Sequence, residues 1–530
     1  MALPLADNKA TPSIAPKALS PYAQQMSDES NYHSEPHHQE LGSEFFDTVK
    51  AAEFPKSILR FRNQRHAEQV GLGKLTDEQW INHFAKFQPL KDNLPEPLAL
   101  RYHGHQFRTY NPDLGDGRGF LFAQLRERPP SSSETQYRLL DLGTKGSGQT
   151  PWSRSGDGKL TLKGAMREVL ATEMLEALGV NTSKTFSVIE TGENLERNDE
   201  PSPTRSAVLV RLNHSHIRFG SFQRPAVQNK PDLVEQLLRH SVKYYYPEID
   251  SKLPSPELAA KFLEAVTENT AALCAQWMIA GFVHGVLNTD NMNITGESFD
   301  YGPYRFLPHF DPSFTAAYFD HSGLYSFGRQ PESCIWNLEQ LASCLALLIP
   351  EKVIETDPEV ATEQLRNALG KFVPRFNADF FKFFCSRLGV DPSSLQQDSH
   401  AEAKSDAPAK FLQAAFEFLK ASQAGYDQFY FDWYGGMVSE KRATTSPIAE
   451  LYEREDFMPF LQILRTLKPL SGVEQKLDGF YFKRRFPTSM LIDEIEAIWS
   501  KIATGDDWSD FYEKIEEVRG MGKVYGFAKY

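Results

Sequence analysis

The chain has 530 residues and a formal net charge of −13. That length exceeds one ordinary core and calls for two or three packed units, and an apolar content of 41% with 38 Phe excludes a disordered chain. The acidic balance excludes nonspecific binding to a nucleic-acid backbone as the main activity, because such proteins need a basic field.

Residues 1–43 are rich in Ser, Pro, Ala and His and lack periodicity, so they read as a mobile arm, with His33, His37 and His38 as solvated side chains. Strands are predicted at Gly119–Leu125, Tyr137–Leu142, Thr185–Ile189 and Ala207–Arg211, each apolar or β-branched and bounded by turn residues. Polar stretches at 129–134 and 192–201 read as loops. One strong helix is predicted from Leu160 to Leu178: Leu162, Met166, Leu170, Met174 and Leu178 recur every four residues, and Gly179 stops it. Glu168 lies opposite that stripe, beside the small residues Gly164, Ala165, Ala171 and Thr172.

From about 230 the pattern is helical. One long helix carries Leu258, Phe262, Val266, Leu273 and Trp277 and ends at Gly281; another spans Trp336–Leu348. Residues 391–409 read as an exposed linker, and 410–530 as an aromatic-rich helical extension. The units are then 44–225, 226–390 and 410–530, an α+β chain. Cys274, Cys334, Cys344 and Cys385 form no Cys-x-x-Cys pair and read as reduced, buried thiols of a cytoplasmic protein. No apolar run of about 18 residues is present, so no membrane-spanning segment is expected, and the N-terminus lacks the marks of a targeting peptide.

Four segments carry chemistry. Leu114-Gly115-Asp-Gly117-Arg118-Gly119 precedes a strand; its glycines let backbone N–H groups approach a phosphate, and Arg118 adds a cation, although a plain hairpin turn uses the same Asp-Gly. Asp141-Leu-Gly-Thr-Lys145-Gly-Ser-Gly follows, with Gly156-Asp157-Gly158 as a second tight turn. A lysine at a strand end with Glu168 on the next helix is the arrangement that kinases use to hold ATP phosphates. Arg211 and Arg218 lie seven residues apart and, if the segment bends, clamp one polyphosphate; His214 and His216 between them read as structural. The strongest segment is His284-Gly-Val286-Leu-Asn-Thr-Asp290-Asn291, followed by Asp300-Tyr-Gly302. Asn291 and Asp300 are hard oxygen ligands suited to Mg²⁺, with Mn²⁺ equally accommodated, and Gly302 allows a sharp turn.

These segments, with Arg101-Tyr-His-Gly-His-Gln-Phe107, Thr150–Gly158 and Ser215–Gly220, resemble the selenoprotein O family in order and spacing, densely over 44–350 and loosely beyond. The resemblance implies a kinase-like bilobal fold: a strand-rich N-lobe with one key helix, a mainly helical C-lobe and a helical C-terminal extension. It implies a protein adenylyltransferase that moves AMP from ATP onto Ser, Thr or Tyr hydroxyls of proteins. Lys145 would then contact phosphates and pair with Glu168. Gly115, Gly117, Arg118, Asp157 and Gly158 would line the nucleotide, and Arg211 and Arg218 would hold its terminal phosphate. Asp290 would accept the proton, and Asn291 and Asp300 would bind the metal. Some members carry a cysteine or selenocysteine near the C-terminus; this chain ends without one.

The residues add their own argument. A kinase loop reads His-Arg-Asp, with the Asp placed to take the hydroxyl proton. Here the third position is Val286, which accepts none. Loss of a general base slows γ-phosphoryl transfer by about 10²–10⁴. A nucleotide bound the other way round, with pyrophosphate inward on the arginines, avoids the problem. An atypical kinase and a silent ATP-binding scaffold are the competing readings; retention of Lys145, Glu168, Asn291 and Asp300 weighs against silence.

Overall fold

The structure is a computed structural model that describes residues 32–127, 138–198, 200–356, 358–396 and 406–527. Its first half is built on an antiparallel sheet. In chain order the strands and helices are β1 (Phe46–Thr48), β2 (Ile58–Arg62), α1 (Gln64–Gln69), α2 (Asp77–Phe84), β3 (Leu98–Leu100), β4 (Gly104–Gln106), β5 (Thr109–Asn111), β6 (Leu121–Arg126), β7 (Leu139–Lys145), β8 (Leu160–Thr161), α3 (Leu162–Ala177), β9 (Lys184–Leu195) and β10 (Thr204–Asn213). The sheet order is β1-β3-β6-β7-β10-β9-β2, with β8 added to β10, while β4 and β5 form a separate hairpin.

The central strands β6, β7 and β10 are almost wholly buried, and the polar residues within β6 and β7 pair with each other, Gln124 Nε2 donating to Asp141 Oδ1 at 2.7 Å. One face packs on α2, where Trp80 stacks on Phe186 and Phe84 meets both edge-on, all within 5.4 Å between ring centres. The other face receives α3. Thr161 caps α3 by accepting from the Gly164 N–H, and Gly179, at φ +79°, follows its C-terminus.

From Phe219 onward the described chain is helical, apart from one short two-stranded pair: α4 (Phe219–Val227), α5 (Pro231–Tyr245), α6 (Ser255–Ala280), that pair β11 (Phe282–Val283) and β12 (Arg305–Phe306), then α7 (Gln330–Leu345) and further helices. Gly281 takes the left-handed conformation (φ +67°) that ends α6 and turns the chain into the His284–Asn291 loop. No described helix is long and apolar enough to cross a membrane, and all four cysteines are free and buried.

Three expectations change. Of the predicted arm, residues 1–31 lie outside the described residues, but 32–41 are docked. Ser34 bridges Leu125, and His37 and His38 are buried at 2% and 4% exposure, so these two histidines are not solvated. The predicted loop at 192–201 begins later, because β9 continues to Leu195 opposite Thr204. Within the predicted linker, Pro392–Gln396 forms a turn of 3₁₀ helix with Ser394 and Leu395 buried, 397–405 lie outside the described residues, and the next helix starts at Ala407.

Candidate active site

The site lies where the ends of β7 and β10 meet α3 and the loops after α6. Lys145, the last residue of β7, is buried between two carboxylates: its Nζ donates to Glu168 Oε2 at 2.7 Å and to Asp300 Oδ1 at 2.8 Å. Glu168 comes from the middle of α3 and is 1% exposed. Asp300 keeps 24% of its side chain open.

Two arginines close on the same carboxylate. Arg211 Nη1 is 3.6 Å from Asp300 and 3.8 Å from Glu168, beyond hydrogen-bond reach of both. Arg218 Nη1 is 3.9 Å from Asp300 and donates to the Asp290 carbonyl at 2.7 Å. Phe299 lies under both guanidinium groups and Tyr102 under that of Arg218, at 4.5–5.3 Å. These aromatic faces hold the cations in a site where full hydration is denied. Burial alone would raise the Asp300 carboxyl, but Lys145, Arg211, Arg218 and Arg118 outweigh it and hold it well below the usual range. Arg211 Nε and Nη1, Arg218 Nε and Glu168 Oε1 are buried without a hydrogen-bond partner. Such groups cost about 1–3 kcal/mol each if left unpaired.

Asp290 sits beside this cluster in a 3₁₀ turn, Thr289–Asn291. It is 8% exposed and its Oδ1 has no partner. Burial pushes its carboxyl up to about 6, against the pull of Arg218. Gly104 of the β4–β5 hairpin packs against it: a Cβ there would lie 3.2 Å from the Asp290 Cβ. The hairpin is tied to the same loop through His105 N–H to Thr289 Oγ1 at 2.7 Å and Phe107 N–H to Asn288 Oδ1 at 3.1 Å. Asn291 Nδ2 donates to the Val286 carbonyl, which points its amide oxygen the other way. His284 is a buried pin, with Nε2 3.0 Å from the Phe299 carbonyl oxygen.

The Gly115–Gly119 loop is stapled to the 150–153 turn. Ser153 Oγ donates to the Gly117 carbonyl and Thr150 Oγ to that of Asp116, each at 2.5 Å. A Cβ on Gly115 would strike the Trp152 ring at 2.4 Å. Arg118 is exposed at its rim. Gly148 N–H donates to the Gly158 carbonyl at 3.1 Å, so the two glycine turns close on each other. Asp157 is the outlier: its carboxylate is exposed and committed to Arg197 at 2.8 Å.

Sequence reasoning missed several contributors. Asp116 lies 3.5 Å from Arg218; Tyr102 and Phe299 support the arginines; Arg154, at φ +47°, acts electrostatically on Asp290. Only the Arg101–Phe107 motif signalled Tyr102. The chain bends at Gly302, as expected, and a Cβ there would meet nothing within 4 Å; the left-handed backbone falls two residues earlier, on Asp300, at φ +65°. His214 and His216 are structural, on the Leu139 carbonyl and Asp141 respectively.

Among the described residues no group of three or more His, Cys, Asp or Glu is arranged to hold a metal. Asn291 and Asp300 are oxygen donors of the type that a hard divalent cation takes, with phosphate and water supplying the rest of its shell, and the unpaired Arg N–H groups are of the type that bind phosphate oxygens.

Comparison with known proteins agrees in extent. The family described as Protein adenylyltransferase SelO matches residues 29–519. A protein nucleotidyltransferase YdiU of Trichodesmium erythraeum is 42% identical over 91% of this chain and 98% of its own length. That of Gloeobacter violaceus is 43% identical over 93% and 96%. That of Synechococcus elongatus is 49% identical over 75% and 74%.

Proposed function

The chain belongs to the SelO family of protein adenylyltransferases and is a nucleotidyltransferase, and from that premise we propose that it transfers AMP from ATP to Ser, Thr or Tyr hydroxyls of proteins. The observation that carries this reading is the pair of buried arginines, Arg211 and Arg218, which flank Asp300 and keep Arg211 Nε and Nη1 and Arg218 Nε without a hydrogen-bond partner. They suit the β- and γ-phosphates of a nucleotide bound with its pyrophosphate inward, in a kinase-like cleft between sheet and helices.

In this reading Lys145, held by Glu168, contacts the phosphates. Gly115, Gly117, Arg118 and Gly158 border the nucleotide, with Asp157 at its outer edge through Arg197. Asn291 and Asp300 hold Mg²⁺, which when bound neutralises charge on the leaving pyrophosphate. The acceptor hydroxyl oxygen bonds to the α-phosphorus, the bond from that phosphorus to the bridging oxygen breaks, and pyrophosphate leaves. Asp290 takes the hydroxyl proton on its unpartnered Oδ1. Its raised affinity for protons suits a base working near neutrality.

The test supplies Mg²⁺ with ATP labelled at the α- or the γ-phosphate. Label on protein from the α-position alone supports AMP transfer. Label from the γ-position alone assigns a kinase, and tight ATP binding without label assigns a scaffold. Asp300→Ala is expected to abolish labelling while leaving the fold intact; normal labelling by it removes Asp300 from the metal site.

A further inference from the structure

A surface far along the chain from these residues carries its own signal. Tyr481–Lys483 is a 3₁₀ turn in the C-terminal helical region. Its inner residues are anchored: Tyr481 and Phe482 are buried, and Phe482 stacks on Tyr434 at 4.6 Å and on Phe431 at 5.4 Å. The turn is therefore a rigid mount.

What it displays is unusual for an acidic protein. Phe480, on one side, is 85% exposed, the highest among the exposed large apolar residues, and Phe486, on the other, is 55% exposed. Between them runs Lys483-Arg484-Arg485. Arg484 is engaged by Glu517. Lys483 and Arg485 are exposed and have no carboxylate partner among the described residues; Arg485 lies over the Phe486 ring at 5.4 Å. The acids nearest in sequence lie outside the turn, Glu474 and Asp478 before it and Asp493 and Glu494 after it, Glu494 being held by Lys514. At physiological salt the field is felt over about 8 Å, so the net charge of −13 does not cancel this local excess.

We propose that the 480–486 turn is a contact site for an anionic phospholipid surface. Two apolar rings standing out from a rigid turn, with unpaired cations between them, match a bilayer interface: the rings enter the acyl boundary while the cations meet headgroup phosphates. Exposure of both rings favours lipid over an acidic protein. A bilayer accepts any protruding ring, whereas a protein partner needs a pocket cut for each. That no described helix is long and apolar enough to cross a membrane has no bearing on such surface contact.

The test floats the full chain with vesicles of phosphatidylcholine alone, and of phosphatidylcholine with phosphatidylglycerol at about one third, a strongly anionic surface. Binding to the anionic vesicles only, reversed in about 1 M salt, is expected. Lys483→Glu with Arg485→Glu should weaken it by roughly thirtyfold or more, at about fivefold per cation removed. Phe480→Ser with Phe486→Ser should weaken it about tenfold or more. Thermal unfolding and ATP-dependent labelling should not change in either variant, and if one pair fails to fold, the other decides. Failure to bind anionic vesicles, equal binding to neutral ones, or undiminished binding by a folded variant overturns the proposal. Capture of an acidic polypeptide through the same residues, with vesicles unbound, assigns the patch to a protein partner instead.

Discussion

At the scale of single residues, the site turns on two aspartates in different surroundings. Asp300 is gripped by Lys145 and faced by two arginines, so it stays ionised and suits a ligand's role. Asp290 is buried with one oxygen unpartnered and holds its proton more readily. Asp290→Asn keeps the shape and removes the base. It is expected to slow AMP transfer by about 10²–10⁴ while calorimetry still shows ATP binding. Wild-type turnover by that variant would dismiss Asp290 as the proton acceptor. The left-handed backbone of Asp300 is local strain of about 1–3 kcal/mol at a functional position. It was not legible in sequence, because Asp tolerates the left-handed region without requiring it.

At the scale of elements, α3 decides most. Its four-residue stripe was legible, and Leu162, Met166, Leu170 and Met174 are indeed fully buried. The opposite face is buried too. Glu173 and Glu176 lie inside, the first held by Arg519 in two hydrogen bonds of 2.8 Å, the second by Arg65 and His66. The sheet covers one side of α3, while the helices Ile492–Gly505 and Ser509–Tyr525 return to cover another, with Lys163 bonded to Glu496. The C-terminal extension thereby supports the helix that carries Glu168. Arg519→Ala leaves Glu173 buried and short of its partner, and should cost about 3 kcal/mol in urea unfolding. Replacing both Arg519 and Glu173 by Met should recover much of that loss. A single variant as stable as the parent would mean that the pair supports nothing.

At the scale of the whole molecule, residues 32–41 join the sheet to α5. Glu35 and His38 N–H groups bond Gln124, and the His37 ring meets the Tyr245 hydroxyl at 2.9 Å. Burial holds His38 down to about 4, His214 to about 3 and His240 to about 2, with Asp141 opposing and His37, His216, Arg138 and Lys243 reinforcing in one or another. The unfolded chain takes up these protons near 6.5, so it binds more protons than the native state below that pH. Stability is therefore intact above 6.5 and falls as pH drops towards 4, by about 1.4 kcal/mol per pH unit for each histidine. His38→Gln should reduce that slope by one proton in urea titrations at pH 6.5 and 5. A parent protein equally stable at both values would contradict this.

The amino-acid sequence by itself determined the order of strands before helices, the long helices with their glycine stops and the family, and it singled out Lys145, Glu168, Arg211, Arg218 and Asp300 but not Asp116 or Arg154. Those features rest on local periodicity and on motifs whose residue types the chemistry requires. Only the tertiary structure decided the short strands, such as β1 and β3, which carry too few residues for a period and exist because partners across the sheet satisfy their backbone. It also decided which charges meet. Lys145, Glu168, Arg211, Arg218 and Asp300 span 155 residues of chain, and their convergence depends on packing between distant elements. Asp157, as polar and as near to a glycine turn as the rest, is drawn away by Arg197, a partner that no local pattern announces.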